Sequence, residues 1–320
     1  MRITNGMMVD NFLNNMQANL AKMDQYTSQL SSNRKIVKLS DDPAGVFSAL
    51  TARQRLQRYE QYQRNLIKAR NWSEQCESSL QEISSKMGSI KEQVVYAANN
   101  IKNAGDRENI AALMVELRNT VMDALNTTVG DNHIFAGYNT VNKPLTFAPD
   151  GTTVLYNGID LGNITDPANV DRITAEQGQN FQLEVGYGLQ MDVTMTAIEV
   201  VGVGDNNLFK TINGIIDLMN SGLENAQVVE ELSGYLGGLS KAHETIGSCL
   251  VRTGAMTTQI DILDDRYSQD IINYNEIRSK IEDIDSAETI MDWKMAEAVY
   301  KQSLSTGSRV IMPTLMDFLN

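Results

Sequence analysis

A chain of 320 residues with a net charge of −13 at pH 7, 42% hydrophobic but only 6% aromatic residues, can fill a core with Leu, Ile, Val, Met and Ala rather than with rings. The acid excess argues against nucleic acid and anionic membrane surfaces as partners, because both require a basic patch. Five prolines leave room for long uninterrupted helices, and no apolar run approaches the ~18 residues of a membrane span. Two cysteines, Cys76 and Cys249, make no disulfide framework, and their spacing leaves open whether they ever pair. Residues 1–6 lack the apolar core of a cleavable signal. The expectation is a cytoplasmic chain, or one exported without a cleaved signal.

The first element is a helix. Val9, Leu13, Met16, Leu20, Met23, Thr27, Leu30, Arg34 and Val37 alternate by four and three, which is a coiled-coil seam. The other faces carry Asn, Gln and Ser, so this helix requires a partner. Its seam residues Leu13, Met16, Leu20, Met23 and Leu30 are the candidate assembly interface. Lys38-Leu39-Ser40-Asp41-Asp42-Pro43-Ala44-Gly45 then breaks the chain. Proline fits the first turn of a helix and pushes the preceding residue out of the α region, so Asp42 is the expected N-cap of a helix opening at Pro43.

That second helix is predicted over about 43–102. Tyr59, Tyr62, Leu66, Ala69, Ser73, Cys76, Leu80, Ile83, Met87, Ile90, Val94, Ala97 and Ile101 keep the seam spacing. At ~1.5 Å per residue it would be on the order of 90 Å long, more than a compact domain needs. Asn103-Ala104-Gly105-Asp106 reads as a turn capping a third helix over 107–128, with Ile110, Leu113, Leu117, Val121 and Leu125 on one face.

From Gly130 the pattern changes. Residues 134–138 read as a strand, 154–156 and 159–161 as a hairpin closed by Asn157-Gly158, and 181–185 with 189–195 as a second hairpin about Gly186-Tyr187-Gly188. Asp205-Asn206 is the expected cap of a helix carrying Leu208, Ile212, Ile215, Ile216 and Met219. A long seam follows through Val229, Leu232, Leu236, Leu239, His243, Ile246, Leu250, Thr253, Thr257, Ile260, Asp264, Tyr267, Ile271, Tyr274, Arg278 and Ile281. An acidic break over 281–288 precedes a last helix with Met291, Met295, Ala298, Val299 and Leu304.

Polar terminal helix, break, long helix and β insertion are mirrored on the way back. The expected fold is mainly α: an elongated antiparallel helical hairpin, or coiled-coil rod, with a small β-rich domain at its distal end. The expected domains are 1–42 plus 287–320 (terminal coiled coil), 43–130 plus 206–286 (long helical rod) and 131–205 (β-rich insertion).

Residues 40–45 resemble the "SDDPA" segment of the hook-associated protein 3 family, within the flagellin superfamily; flagellins more often carry Ala in place of the Pro. Residues 60–65 (EQYQRN) are similar to a second segment of that family. Residues 134–140 with 144–147 are similar to its "LFSG…T…PF" segment, and 281–288 to its "EDADYAEA" segment, from which Ile284 and Ser286 depart. The likeness covers 1–147 well, 229–320 moderately and 148–228 little.

The resemblance implies a structural subunit of the bacterial flagellum, joining hook to filament. Implied partners are the first hook-associated protein, flagellin, further copies of the chain in a ring-like or helical layer, and a small export chaperone. It also implies export through the flagellar type III apparatus and residence outside the cell. The chaperone is expected on the C-terminal stretch, through Met295, Val299, Leu304, Leu315, Phe318 and Leu319, which are apolar among few charges.

No catalytic or ligand-binding pattern competes. His133 and His243 are nowhere near the cysteines in sequence, which leaves no zinc spacing. Residues 186–188 and 202–204 lack the third glycine of a dinucleotide loop. Asp283 and Asp285 are too few for a calcium loop. No catalytic residue, cofactor or metal is expected, no nucleic acid and no membrane insertion. Two alternatives stay open: a flagellin filament subunit, and a secreted needle-tip or effector-type helical hairpin.

Overall fold

The computed structural model describes residues 5–100, 104–221 and 223–311. The helices are α1 (Asn5–Ser32), α2 (Pro43–Asn100), α3 (Ala104–Leu125), α4 (Pro167–Gln177), α5 (Ala197–Val201), α6 (Leu208–Asn220), α7 (Asn225–Glu282) and α8 (Ser286–Ile311). Short antiparallel strands lie between α3 and α5. β1 (Thr128–Val129) pairs with β2 (Asn132–His133), and β3 (Leu145–Phe147), β4 (Val154–Tyr156) and β5 (Ile159–Asp160) form one sheet. β6 (Gln182–Gly186) pairs with β7 (Leu189–Asp192). The fold is mainly α with small antiparallel sheets, as the periodicity predicts. The chain divides into two compact units, Gln61–Tyr267 and Met1–Glu60 with Ser268–Asn320; α2 and α7 each supply residues to both.

The hydrophobic core lies in the unit 61–267. Leu66, Ala69, Ser73, Cys76, Leu80, Ile83, Met87, Ile90, Val94 and Ala97 of α2 are all buried at predicted seam positions, Tyr59 and Tyr62 are half-buried, and Ile101 lies outside the described residues. Each fully buried Leu, Ile or Met contributes about 1.5–3 kcal/mol. α7 runs antiparallel against this column. Tyr62 meets Tyr267 at 5.7 Å between ring centroids, Ser73 Oγ lies 3.0 Å from Thr257 Oγ1, and Cys76 Sγ lies 4.0 Å from Thr253 Oγ1. Both cysteines are free and buried, and burial pushes the Cys76 thiol up to about 12. α3 and α6 extend the same core through Met114, Val121, Leu125, Ile212 and Ile215.

The inward column of α7 departs from the predicted one. Leu232, Leu239, Ile246, Thr253, Ile260 and Tyr267 are buried as expected, but Ala242, Cys249 and Leu263 take the alternate layers, and His243 is exposed. The cause is a second neighbour. α7 also receives α6, where the Tyr235 ring packs on Gly214 and Thr211 on Gly238, so the buried face turns toward the small residues.

Other differences are local. Residues 134–138 form a buried turn rather than a strand: Gly137 has φ +64°, and Phe135 O accepts the Ala197 amide at 2.8 Å. α3 begins at Ala104, which puts Asp106 inside the first turn. α6 is capped by Asn207, whose side chain accepts from the Lys210 amide, while Asp205 pairs with the Lys210 ammonium at 2.8 Å. α4 and α5 escape sequence reading because each is short and lacks a sustained period. Asn157 and Gly158 have the positive φ of the predicted tight turn. Ile134, Phe135, Tyr156, Leu161 and Ile198 belong to the same core as the long helices. Hairpin β6–β7 is fastened to the helices at two carbonyls. Asn65 Nδ2 donates to Glu184 O at 2.7 Å, and the Tyr267 hydroxyl donates to Val185 O.

Candidate assembly surface

The other unit contrasts with this one. Only Ala49, Ala52 and Leu56 supply it with buried apolar side chains among the described residues, and none comes from α1 or α8. α1 and α8 pair antiparallel through thin contacts. Trp293 Nε1 donates to Thr27 Oγ1 at 3.0 Å, and Asn19 Nδ2 to Ser303 Oγ at 3.5 Å. The Phe12 ring sits on Gly307, where a Cβ would overlap it. Val9, Phe12, Met16, Asn19, Met23, Tyr26 and Leu30 are half-buried along this contact.

Of the candidate interface residues, Met16, Met23 and Leu30 therefore line the α1–α8 contact, whereas Leu13 (42% exposed) and Leu20 (37%) lie off it. On α8 the inward positions are Thr289, Trp293, Ala296, Tyr300, Ser303 and Gly307. That leaves Met291, Met295 (57% exposed), Val299 and Leu304 in water. Leu315, Phe318 and Leu319 lie outside the described residues. Both terminal helices thus have apolar surface left over after pairing. Phe47 (73% exposed), Leu50, Val37 and Leu39 add a further patch around the break. Sequence spacing misses Phe12, Gly307 and Phe47; a glycine inside a helical stretch was the available signal for the close Phe12–Gly307 contact.

The break itself is a set of interlocking caps. Asp42 Oδ1 accepts the Gly45 amide at 2.9 Å, and Asp41 Oδ2 accepts the Lys38 amide at 2.8 Å. A Cβ on Gly45 would overlap the Asp42 carboxylate, so the Asp-x-x-Gly spacing is sterically required. Asn33, at φ 54°, ends α1. The Lys35 amide donates to Glu282 O at 2.7 Å, and Gln29 Nε2 donates to Lys35 O at 2.7 Å. Arg53 reaches the largely buried Glu282 carboxylate at 2.6 Å. The worth of that pair falls between the ~1 kcal/mol of an exposed pair and the ~3–5 kcal/mol lost when a buried one is broken. Asp285 caps α8 through the Ala287 and Glu288 amides at 2.9 and 3.2 Å. Tyr59 stacks on Tyr274 at 5.7 Å, and burial, followed by the nearby Asp270 and Tyr274, raises its phenol pKa.

Among the described residues no cluster of His, Cys, Asp or Glu could hold a metal ion, and no helix is long and apolar enough to cross a membrane. The exposed apolar side chains of this surface are suited to packing against other helices.

Residues 3–140 match the family described as bacterial flagellin N-terminal helical region. Flagellar hook-associated protein 3 of Salmonella typhimurium is 23% identical over 321 residues, covering 96% of each chain. The Escherichia coli protein of the same name is 22% identical, covering 95% of each. The crystal structure of FlgL from Xanthomonas campestris is similar in fold, with a TM-score of 0.59 at 15% identity, over 71% of this chain and 99% of that one. Residues 3–140 therefore carry a flagellin-type N-terminal helical region. Over nearly its whole length the chain is similar to these proteins named flagellar hook-associated protein 3.

Replacing Asp42 by Ala removes the α2 cap and is expected to speed amide exchange over residues 46–56 on the order of 2–30-fold, equivalent to about 0.5–2 kcal/mol. Gly45→Ala should do the same by displacing the Asp42 carboxylate. The double variant should then cost no more than either single one, because both remove one interaction.

Proposed function

We propose that this chain is a structural subunit of the bacterial flagellum that joins the hook to the flagellin filament. The observation that carries this reading is a well-packed unit joined in one chain to a unit whose terminal helices, among the described residues, bury no apolar side chain. Such a distribution is suited to completion by neighbours. The similarity to proteins named flagellar hook-associated protein 3 supplies the setting. On this reading the partners are the first hook-associated protein on one side, flagellin on the other, and further copies of the chain within the layer. The role is mechanical and uses no catalytic residue. The chain passes unfolded through the flagellar type III apparatus and works outside the cell. Leu13, Met16, Leu20, Met23 and Leu30 form part of the assembly interface.

The direct test is location. Cys76 and Cys249 are buried, so a cysteine placed at the exposed Val141 can be labelled selectively on living cells. One spot at the hook–filament boundary is expected, with flagellin shed into the medium when the gene is deleted. Label along the whole filament would mark a flagellin subunit instead. Label only in the medium would mark a secreted effector.

The export chaperone is placed on the C-terminal segment, through Met295, Val299, Leu304, Leu315, Phe318 and Leu319. Met295, Val299 and Leu304 are already exposed, and an amphipathic helix laid in a groove is a common recognition mode. Deleting residues 291–320 should abolish capture of the flagellar chaperone from solution. Undiminished capture would move the site elsewhere.

A further inference from the structure

A cavity of about 690 Å³ opens within the unit 61–267, between the strand region and helices α6 and α7. Its size lies in the range of small-ligand sites. Asp160, Thr211, Asn213, Asp217, Gly234 and Tyr235 are among its lining residues. The assembly reading uses none of them.

Three features separate this cavity from an ordinary surface groove. The first is the helix floor. α7 carries Gly234, Gly237 and Gly238 within five residues, and each glycine in a helix interior costs about 0.5–1 kcal/mol relative to Ala. Gly238 is explained by packing, since a Cβ there would lie 3.3 Å from Thr211. Gly234 is not, because a Cβ there would meet nothing within 4 Å. It is an exposed residue of the cavity lining, so a side chain placed there would enter the opening.

The second is a preset wall. The Asn213 amide is held at both ends: its Oδ1 accepts from Arg118 Nη1 at 2.7 Å, and its Nδ2 donates to Thr152 O at 2.5 Å. Arg118 is itself buried, with its guanidinium 4.6 Å from the centre of the Phe147 ring. The wall therefore needs no ordering when a ligand arrives, which lowers the entropic cost of binding.

The third is spare hydrogen-bonding capacity of a defined kind. Among the described residues the hydroxyl of the half-buried Tyr235 makes no hydrogen bond, and the exposed Asp217 carboxylate makes none but interacts electrostatically with the Arg118 guanidinium. Asp160 uses Oδ1 on the Gly162 amide at 2.8 Å and keeps Oδ2 open. The one cation in the lining, Lys210, is already tied to Asp205. The excess of carboxylates repels phosphates, sulfates and carboxylates. The polar wall disfavours an apolar ligand, which would strand these groups unpaired. An uncharged molecule with several hydroxyl donors and one flat face meets all three conditions.

We propose that this cavity binds a neutral saccharide unit, its ring lying over Gly234 and its hydroxyls bonded to Asp160, Asp217, Asn213 and Tyr235. The test is ligand-observed NMR titration of the full-length chain with maltose, cellobiose and N,N′-diacetylchitobiose, against glucose 6-phosphate and N-acetylneuraminic acid. Saturable binding of at least one neutral disaccharide is expected, with the anionic sugars failing to saturate. Gly234→Leu should weaken binding at least tenfold by filling the cavity, while its helix propensity preserves the fold. Gly237→Leu is the control: its Cβ also meets open space, but it does not line the cavity, so binding should be unchanged. Asp217→Asn should weaken binding without altering the melting temperature. The proposal is overturned if no neutral disaccharide saturates, if the anionic sugars bind as well, or if Gly234→Leu binds as the parent does. None of these outcomes bears on attachment at the hook–filament junction.

Discussion

Apolar burial is unevenly divided along this chain, and the rest of the account depends on that division. In the unit 61–267, α2 alone contributes an unbroken column from Leu66 to Ala97, closed by α3, α6 and α7. In the other unit, α1 and α8 meet through Phe12 on Gly307, Trp293 on Thr27 and Asn19 on Ser303. Ordering their 28 and 26 residues costs about 1–2 kcal/mol of backbone entropy for each residue. A half-buried seam with two side-chain hydrogen bonds is a weak counterweight. Helices of this kind gain stability mainly from tertiary neighbours, and on the proposed reading those neighbours come from outside the chain.

The polar groups around the two breaks serve a different end from burial. Asp42 and Gly45 fix where α2 begins, Asp285 fixes where α8 begins, and Arg53 ties α2 to Glu282 at the end of α7, none of them adding a core. On the proposed reading, in which the subunit travels as an extended chain and then joins a lattice, the caps encode its direction locally and its cohesion comes from contact with neighbours. The exposed Met291, Met295, Val299 and Leu304 on α8, and Leu13 and Leu20 on α1, are the surfaces left for that contact.

Helical period carried most of the fold in sequence, and its reach has a physical limit. The α2 column was legible residue by residue because its buried positions keep the three–four spacing from Leu66 to Ala97. α7 packs on α2 and also meets α6, and its buried face turns by part of a heptad, leaving His243 in water and Ala242 inside. Asp42 was readable as a cap because proline restricts the residue before it. Asn207 was not, because Asp205 and Asn206 offer equally good caps within two residues, and only the tertiary position of α6 selects among them. Residues 134–138 have the composition of a strand, but the left-handed Gly137 turns them back into the core. On the assembly surface, Met16, Met23 and Leu30 of the predicted stripe face α8 while Leu13 and Leu20 do not, because Phe12 and Asn19 take their places in the contact.

The most direct measurement of unequal cohesion is hydrogen exchange on the purified monomer, read by segment, and again on assembled hook–filament particles. The account predicts fast exchange across residues 9–30 and 289–307 in the monomer, slow exchange across 80–97, and protection of both terminal helices only after assembly. Protection of α1 and α8 in the monomer equal to that of residues 80–97 would contradict it.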